Sequence, residues 1–304
     1  MHAAPSLVAL AALATGAVAQ ADTFPVDRTQ KYGYIPSAAL GIIFVVLFSL
    51  TLIVHIVQQG IARRYWWMTC TIICIALEVL GWAARLVAHW SPLSYNAYVI
   101  QICTLIIAPT FMSASLYWAG GLLIQHLGPD RSWLGQRAFK ITFVCADIAS
   151  LIVQAIGGGV ASGGASDDNP DYDKIDLGSH IMLAGIVIQL AIMVFYAIYI
   201  AWWAVLEKEQ FQRAGRKLQM FLFGGIGICA FAIILRGCYR VPELSHGFKG
   251  SIAETQMFML LDAIPIFVGS VALNIWHPHW FFIVPPQVDV AAASTPVFME
   301  KGRV

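Results

Sequence analysis

The chain has 304 residues, of which 59% are hydrophobic and only 12% charged, about half the charged share of an ordinary globular protein. A soluble core cannot hide so much apolar side chain, so lipid has to cover it. A net charge of +1 leaves no electrostatic footprint for a nucleic-acid partner.

In chain order, residues 6–19 form an Ala-rich apolar run ending Ala17, Val18, Ala19, a small-x-small pattern before Gln20. The run is short for a spanning helix and ends like a cleavage site. Residues 1–19 therefore read as a signal peptide, although the n-region has His2 and no Lys or Arg. Residues 20–34 follow as an exoplasmic segment. Seven apolar stretches come next, at 35–58, 66–88, 97–123, 139–160, 180–205, 218–238 and 256–276. Each is long enough for the roughly 20 helical residues that cross about 30 Å of hydrocarbon. The expected fold is an all-α membrane protein, a seven-transmembrane-helix bundle over 35–276 with the N-terminus outside and the C-terminus cytosolic. Residues 277–304 form a short tail.

Orientation comes from Lys and Arg, which favour the cytosolic side. With the N-terminus outside, eleven of the 18 basic residues are cytosolic: Arg63, Arg64, Arg131, Arg137, Lys140, Lys208, Arg213, Arg216, Lys217, Lys301 and Arg303. The fourth connection carries Asp167, Asp168, Asp171, Asp173 and Asp176, as an exoplasmic loop can. Tyr65, Trp66, Trp67, Trp202, Trp203, Trp276 and Trp280 fall at the expected cytosolic ends, where aromatic rings anchor helices at the interface. All six cysteines lie within the spans and read as small apolar packing residues.

A charge near the bilayer centre costs at least about 2.5–3.5 kcal/mol, so each one requires a reason. In the second span Glu78 and Arg85 share a helix face with Gly81 between them. In the fourth, Asp147, Ser150 and Gln154 line one face ahead of Gly157, Gly158 and Gly159, and the fifth adds Gln189. The sixth ends in Arg236, Arg240 and Glu243; the seventh brings Glu254 and, about 12 Å deeper at 1.5 Å per residue, Asp262. Most of this set falls in the outer half of the bundle, with Glu78 at mid-depth and Asp147 in the inner half. Interhelical amides commonly serve as glue. Five ionisable groups gathered at one end (Glu78, Arg85, Arg236, Glu254, Asp262) exceed what helix register needs and point to a hydrated cavity. Pro109 interrupts the third span and marks a bend or hinge. The glycine stretch 157–164 lacks the Lys-Ser/Thr of a phosphate loop, so no cofactor and no ATP use by this chain alone are expected.

The order and spacing of these residues resemble the fungal lipid-translocating exporter family, the RTA-like seven-helix proteins linked to aminocholesterol resistance and sphingoid long-chain-base export. The resemblance covers about residues 34–278. It rests on Tyr34 and Pro36, then E-x-x-G-x-x-x-R at Glu78, Gly81 and Arg85, then A-P-x-F-x-x-A-x-x-Y over 108–117. It continues with D-x-x-S-x-x-x-Q-x-x-G-G-G over 147–159 and R-x-x-x-R-x-x-E at Arg236, Arg240 and Glu243. Gly247, Gly250, Glu254, Asp262 and His277-Pro278 complete it. The resemblance implies a plasma-membrane protein that moves or senses amphipathic lipids, with a role in resistance to toxic lipids or drugs.

Translocation of an amphipathic lipid is the leading expectation. An amino-alcohol head would sit among Glu78, Glu254 and Asp262, with Arg85, Arg236 and Arg240 pairing the carboxylates in its absence. Expected partners are membrane lipids and this small amphipathic substrate. A lipid sensor signalling through the basic loop 208–217 is the alternative. An intramembrane hydrolase needs about three converging metal ligands, yet His55, His277 and His279 fall at one side and His89, His180 and His246 at the other, so neither catalysis nor a metal is expected. A carrier built from paired three-helix repeats also has seven spans, but the two halves of this chain share no pattern.

Overall fold

The computed structural model describes residues 36–91, 94–127, 136–164, 171–245 and 256–281. The expected signal peptide, the exoplasmic segment 20–34, Glu254 and the tail beyond Phe281 lie outside them. Within the described residues the chain is helical throughout and contains no strand. Seven helices are long and apolar enough to cross a membrane. They are α1 (Ala38–Ile61), α2 (Thr69–Trp90), α3 (Tyr95–Leu127), α4 (Gln136–Gly164), α5 (Tyr172–Leu206), α6 (Ile228–Ser245) and α7 (Gln256–Ile275). A helical turn at Arg63–Met68 leads into α2. The sixth span begins earlier than α6, with an α-helical turn at Arg216–Met220 and a π-helical segment at Phe221–Gly227. A short helix, Pro278–Phe281, follows α7.

Neighbours in sequence pack as neighbours in space, and α7 returns to α1, so the helices form a closed ring. The third helix leans inward and touches α2, α4, α5 and α6. Its apolar side chains Leu105, Met112, Leu116 and Leu123 are fully enclosed. An aromatic layer of Tyr117, Phe139, Phe143 and Tyr196 joins α3, α4 and α5, with ring centroids 4.8–6.0 Å apart. Ile42, Leu50, Ile152, Phe195 and Phe231 stand outward, which lipid rather than water suits.

The α1–α7 seam is closed by side chains that reach main-chain carbonyls. His55 Nε2–H donates to the Ser270 carbonyl at 3.1 Å, and Gln58 Nε2 donates to the Asn274 carbonyl at 2.9 Å. The residue four positions after Asn274 is Pro278, which has no N–H to offer. Gln58 supplies the missing donor.

The seam between α4 and α5 depends on glycine. A Cβ on Gly157 would lie 2.5 Å from the Met182 amide nitrogen and 2.7 Å from the Gly178 carbonyl oxygen, whereas one on Gly159 meets nothing within 4 Å. Backbone cannot rotate out of the way as a side chain can. Gly157→Ala is therefore expected to destabilise the protein by about 1–3 kcal/mol, the usual cost of overpacking, while Gly159→Ala leaves it near wild type. Thermal unfolding of the two purified variants in detergent compares them directly, and equal losses would remove the argument from close approach.

Two expectations are corrected. The helix α5 starts at Tyr172, eight residues ahead of the expected span, so Asp173 and Asp176 are helical rather than in a loop. Acidic groups are stabilised in a first helical turn by the unpaired N–H groups there. Asp171 caps the helix by accepting from the Lys174 amide at 3.2 Å and pairs with the Lys174 ammonium at 2.9 Å. These contacts hold its carboxyl below the ordinary Asp range. The second correction concerns the aromatic anchors. Trp66, Trp202 and Trp280 are exposed as an interface requires, but Tyr65, Trp67 and Trp203 are buried among the helices. Tyr65 packs edge-on against Trp67, His277 and His279. A residue's position at a helix end fixes its depth, but its face decides whether it meets lipid or protein.

A candidate lipid-binding cleft and its charged wall

Pro109 sits in the interior of α3. It cannot donate to the carbonyl four residues earlier, that of Leu105. Arg236 Nη2 from α6 takes that carbonyl. The break in the third helix therefore creates an acceptor, and the sixth helix answers it with a buried guanidinium. At Pro109, expected as a hinge, the geometry shows an anchor for Arg236.

One helical turn on from Arg236, Arg240 projects from the same face of α6. Both converge on Asp262 of α7. Arg240 makes a two-pronged contact, Nε to Oδ1 at 2.8 Å and Nη2 to Oδ2 at 2.7 Å. Arg236 Nε lies 2.8 Å from Oδ1, and its Nη2 lies 3.4 Å from Oδ2. All three side chains are buried. Two guanidinium groups on one carboxylate leave the trio with one excess positive charge.

Glu78 of α2 sits in the electrostatic field of Arg236, Asp262 and Arg240. It is 1% exposed, and neither carboxylate oxygen has a hydrogen-bond partner among the described residues. The Trp82 indole N–H lies beside it but outside hydrogen-bond geometry. Asp262 is saturated with donors, while Glu78 has none in hydrogen-bond geometry among the described residues. Arg85, expected on the same face of α2, is likewise buried, with its guanidinium carbon 5.9 Å from the Trp82 ring centre. Between Glu78 and Arg85, Gly81 lets α2 approach α3: a Cβ there would lie 2.6 Å from Leu105 Cδ2. The glycine thus seats the stretch of α3 whose carbonyl Arg236 uses.

A second polar group links α3, α4 and α5. Gln154 Nε2 donates to Gln189 Oε1 at 2.9 Å, and Gln189 Nε2 donates to Thr110 Oγ1 at 2.9 Å. Asp147 accepts through Oδ2 from the Ser113 hydroxyl and, at 3.0 Å, from the Tyr117 hydroxyl.

A cleft of about 420 Å³ of empty space, including its open mouth, runs between these groups. Gln154, Gln189, Arg236 and Arg240 form its polar part, and Pro109, Ile186, Leu190 and Ile233 its apolar part. Four of the site residues expected from sequence, on three different helices, therefore meet around one space. Asp262 stands behind Arg236 and Arg240, and Glu78 lies in their field. Asp147 does not line the cleft and belongs to the α3–α4 contact. The side chain of Glu243 and the whole of Glu254 fall outside the described residues. Among those residues no three His, Cys, Asp or Glu side chains gather as a metal site, and the six cysteines are free thiols. Sequence reading missed Thr110, Ser113 and the Leu105 carbonyl. Pro109 was the signal for the carbonyl, because a proline inside a helix always strips the donor from the residue four before it.

The family model described as RTA1 like protein matches residues 71–284. The chain belongs to the RTA1-like family. Among curated RTA1-like relatives from Saccharomyces cerevisiae, the Sphingoid long-chain base transporter RSB1 is 29% identical over 301 residues, covering 84% of this chain and 78% of the relative. Protein RTA1 is 24% identical over 288 residues, covering 83% and 88%. Protoporphyrin uptake protein 1 is 25% identical over 283 residues, covering 80% and 90%. No solved structure matches the chain significantly. The RTA1-like match spans the helices that build the cleft, from the start of α2 through α7.

Proposed function

We propose that this protein moves amphipathic lipids across the membrane, passing the polar head through the cleft while the tail stays against apolar helix faces or in the bilayer. The observation that carries the reading is the two-sided lining of the cleft, with amides and guanidinium groups beside Pro109, Ile186, Leu190 and Ile233 between helices long and apolar enough to cross a membrane. An amphipathic molecule matches both sides of such a lining, and a polar cavity within a spanning domain marks a substrate path. The name of the yeast relative, a sphingoid long-chain base transporter, supports an amino-alcohol head. Glu78 suits its ammonium, being a buried carboxylate without a hydrogen-bond partner among the described residues, and Gln154 Oε1, which has none among them either, suits a hydroxyl. A plasma-membrane location with the N-terminus outside, a cleaved signal peptide over 1–19, and a contribution to resistance against toxic lipids complete the proposal. The role is transport rather than catalysis.

Proteoliposomes containing the purified protein are expected to speed the transbilayer movement of a labelled sphingoid base over empty vesicles. Glu78→Gln removes the charge but keeps the shape. It is expected to slow that movement about tenfold or more, the equivalent of one charge-assisted hydrogen bond of about 1.5 kcal/mol or above. Wild-type vesicles no faster than empty ones would end the translocation reading. Lipid binding without movement would instead favour a sensor.

A further inference from the structure

Asp147 is a buried carboxylate that does not line the cleft. It is 2% exposed, it has no ion-pair partner among the described residues, and its Oδ1 has no hydrogen-bond partner there. The groups around it are hydroxyls. From α3 come Ser113 and Tyr117; from α5 comes Tyr196, whose ring centre is 5.0 Å from that of Tyr117 and whose own hydroxyl donates to the Leu116 carbonyl. On α4 itself the Ser150 hydroxyl donates to the Asp147 main-chain carbonyl at 2.7 Å. The nearest basic side chain earlier on α4, Lys140, lies over the Trp118 ring at 4.3 Å. A carboxylate held in membrane interior without a counter-charge is expensive. A site that alternates between charged and neutral forms carries that cost for only part of a cycle.

The Ser113 hydroxyl gives such an alternation a readout. Its oxygen lies within hydrogen-bond reach of two acceptors, Asp147 Oδ2 and, at 2.9 Å, the Thr110 carbonyl. One hydroxyl has one hydrogen to donate. An ionised Asp147 claims it; a protonated Asp147 releases it to Thr110. The Thr110 side chain is the anchor for Gln189, and Gln189 holds Gln154, both on the cleft wall. Charge at Asp147 therefore bears on the groups that line the cleft, through one turn of α3 directly after the Pro109 break.

We propose that Asp147 is a proton-binding site that couples proton movement to lipid movement. The proposal rests on the translocation reading above. In the cycle, a proton from water on one side forms an O–H bond at the free Oδ1, and Ser113 turns to Thr110. A hydronium ion on the first side gives up one O–H bond as the Oδ1–H bond forms and leaves as water; on release the Oδ1–H bond breaks as a water on the other side takes the proton, and Ser113 turns back.

Infrared difference spectra of wild-type protein in nanodiscs test the site without any transport. Acidification should raise a protonated-carboxyl C=O band that is missing in Asp147→Asn, and binding of sphinganine should shift that band. Ser113→Ala should keep the band and lose the shift. A band unchanged in Asp147→Asn, or no such band in wild type, overturns the site; an undiminished shift in Ser113→Ala overturns the route. Proteoliposomes test the coupling. A gradient of one pH unit should drive labelled sphinganine toward about a tenfold unequal distribution between leaflets for one proton per lipid, and Asp147→Asn should abolish it. Faster equilibration that ignores the gradient overturns the coupling while leaving translocation standing. No movement by wild type at all overturns both translocation and its coupling.

Discussion

Asp262→Ala is expected to cost about 3–5 kcal/mol of stability, the penalty for stranding a buried charge by deleting its partner. Here the loss falls on two guanidinium groups, since Arg236 and Arg240 both rest on the one carboxylate. With Asp262 gone, Arg236 keeps the Leu105 carbonyl as a neutral acceptor. Arg240 loses both prongs of its contact with Asp262. Fluorescence-detected size exclusion and thermal unfolding in detergent should show little folded protein. Asp262→Asn, which keeps one acceptor oxygen, should fall between the two. The triple variant with leucine at 236, 240 and 262 separates stability from function, because apolar replacement of a whole buried ionic group is often neutral or favourable. It should recover folded protein and remain unable to move lipid. A stable and active Asp262→Ala would show that the trio serves neither purpose.

Ile233→Trp should leave the protein folded and reduce lipid movement more than tenfold. Ile233 lies one turn before Gly237 on α6 and forms part of the apolar lining. Ile233 is buried, so the larger ring costs about 1–3 kcal/mol of overpacking as it fills the cleft. It projects beside Arg236 and Gln189, where a head group would pass. The measurement is transbilayer movement of labelled sphingoid base in proteoliposomes, with the unfolding temperature of the same preparation as control. Unimpaired movement by a stable Ile233→Trp would show that lipid takes another path.

The seven spans were legible because apolar length is a property of the chain alone. Their true ends were less so. The helix α5 begins as early as Tyr172 because Asp171 caps it and Asp173 suits its first turn; neither signal is hydrophobic. The costly residues were legible too, and Gln154, Gln189, Arg236 and Arg240 do share a cleft. Which partner each would choose was not. Glu78 and Arg85 lie on one face of one helix, an arrangement that suggests a pair, yet the charges acting on Glu78 come from α6 and α7. Packing between helices distant in sequence decides such pairings. The carbonyl that seats Arg236 belongs to Leu105, whose side chain says nothing about it.

The π-helical segment Phe221–Gly227 has a consequence for comparing relatives. A π turn carries one residue more than an α turn for nearly the same rise. Each side chain after it is thereby rotated by about 100° from where regular winding would put it. Arg236 and Arg240 owe their direction to that extra residue. Deleting any one position between 221 and 227 would restore regular winding and swing both guanidinium groups away from Asp262, although no charged residue had been touched. Two relatives that differ by a single gap in this segment would present different faces of the sixth span to the cleft, however well their arginines align.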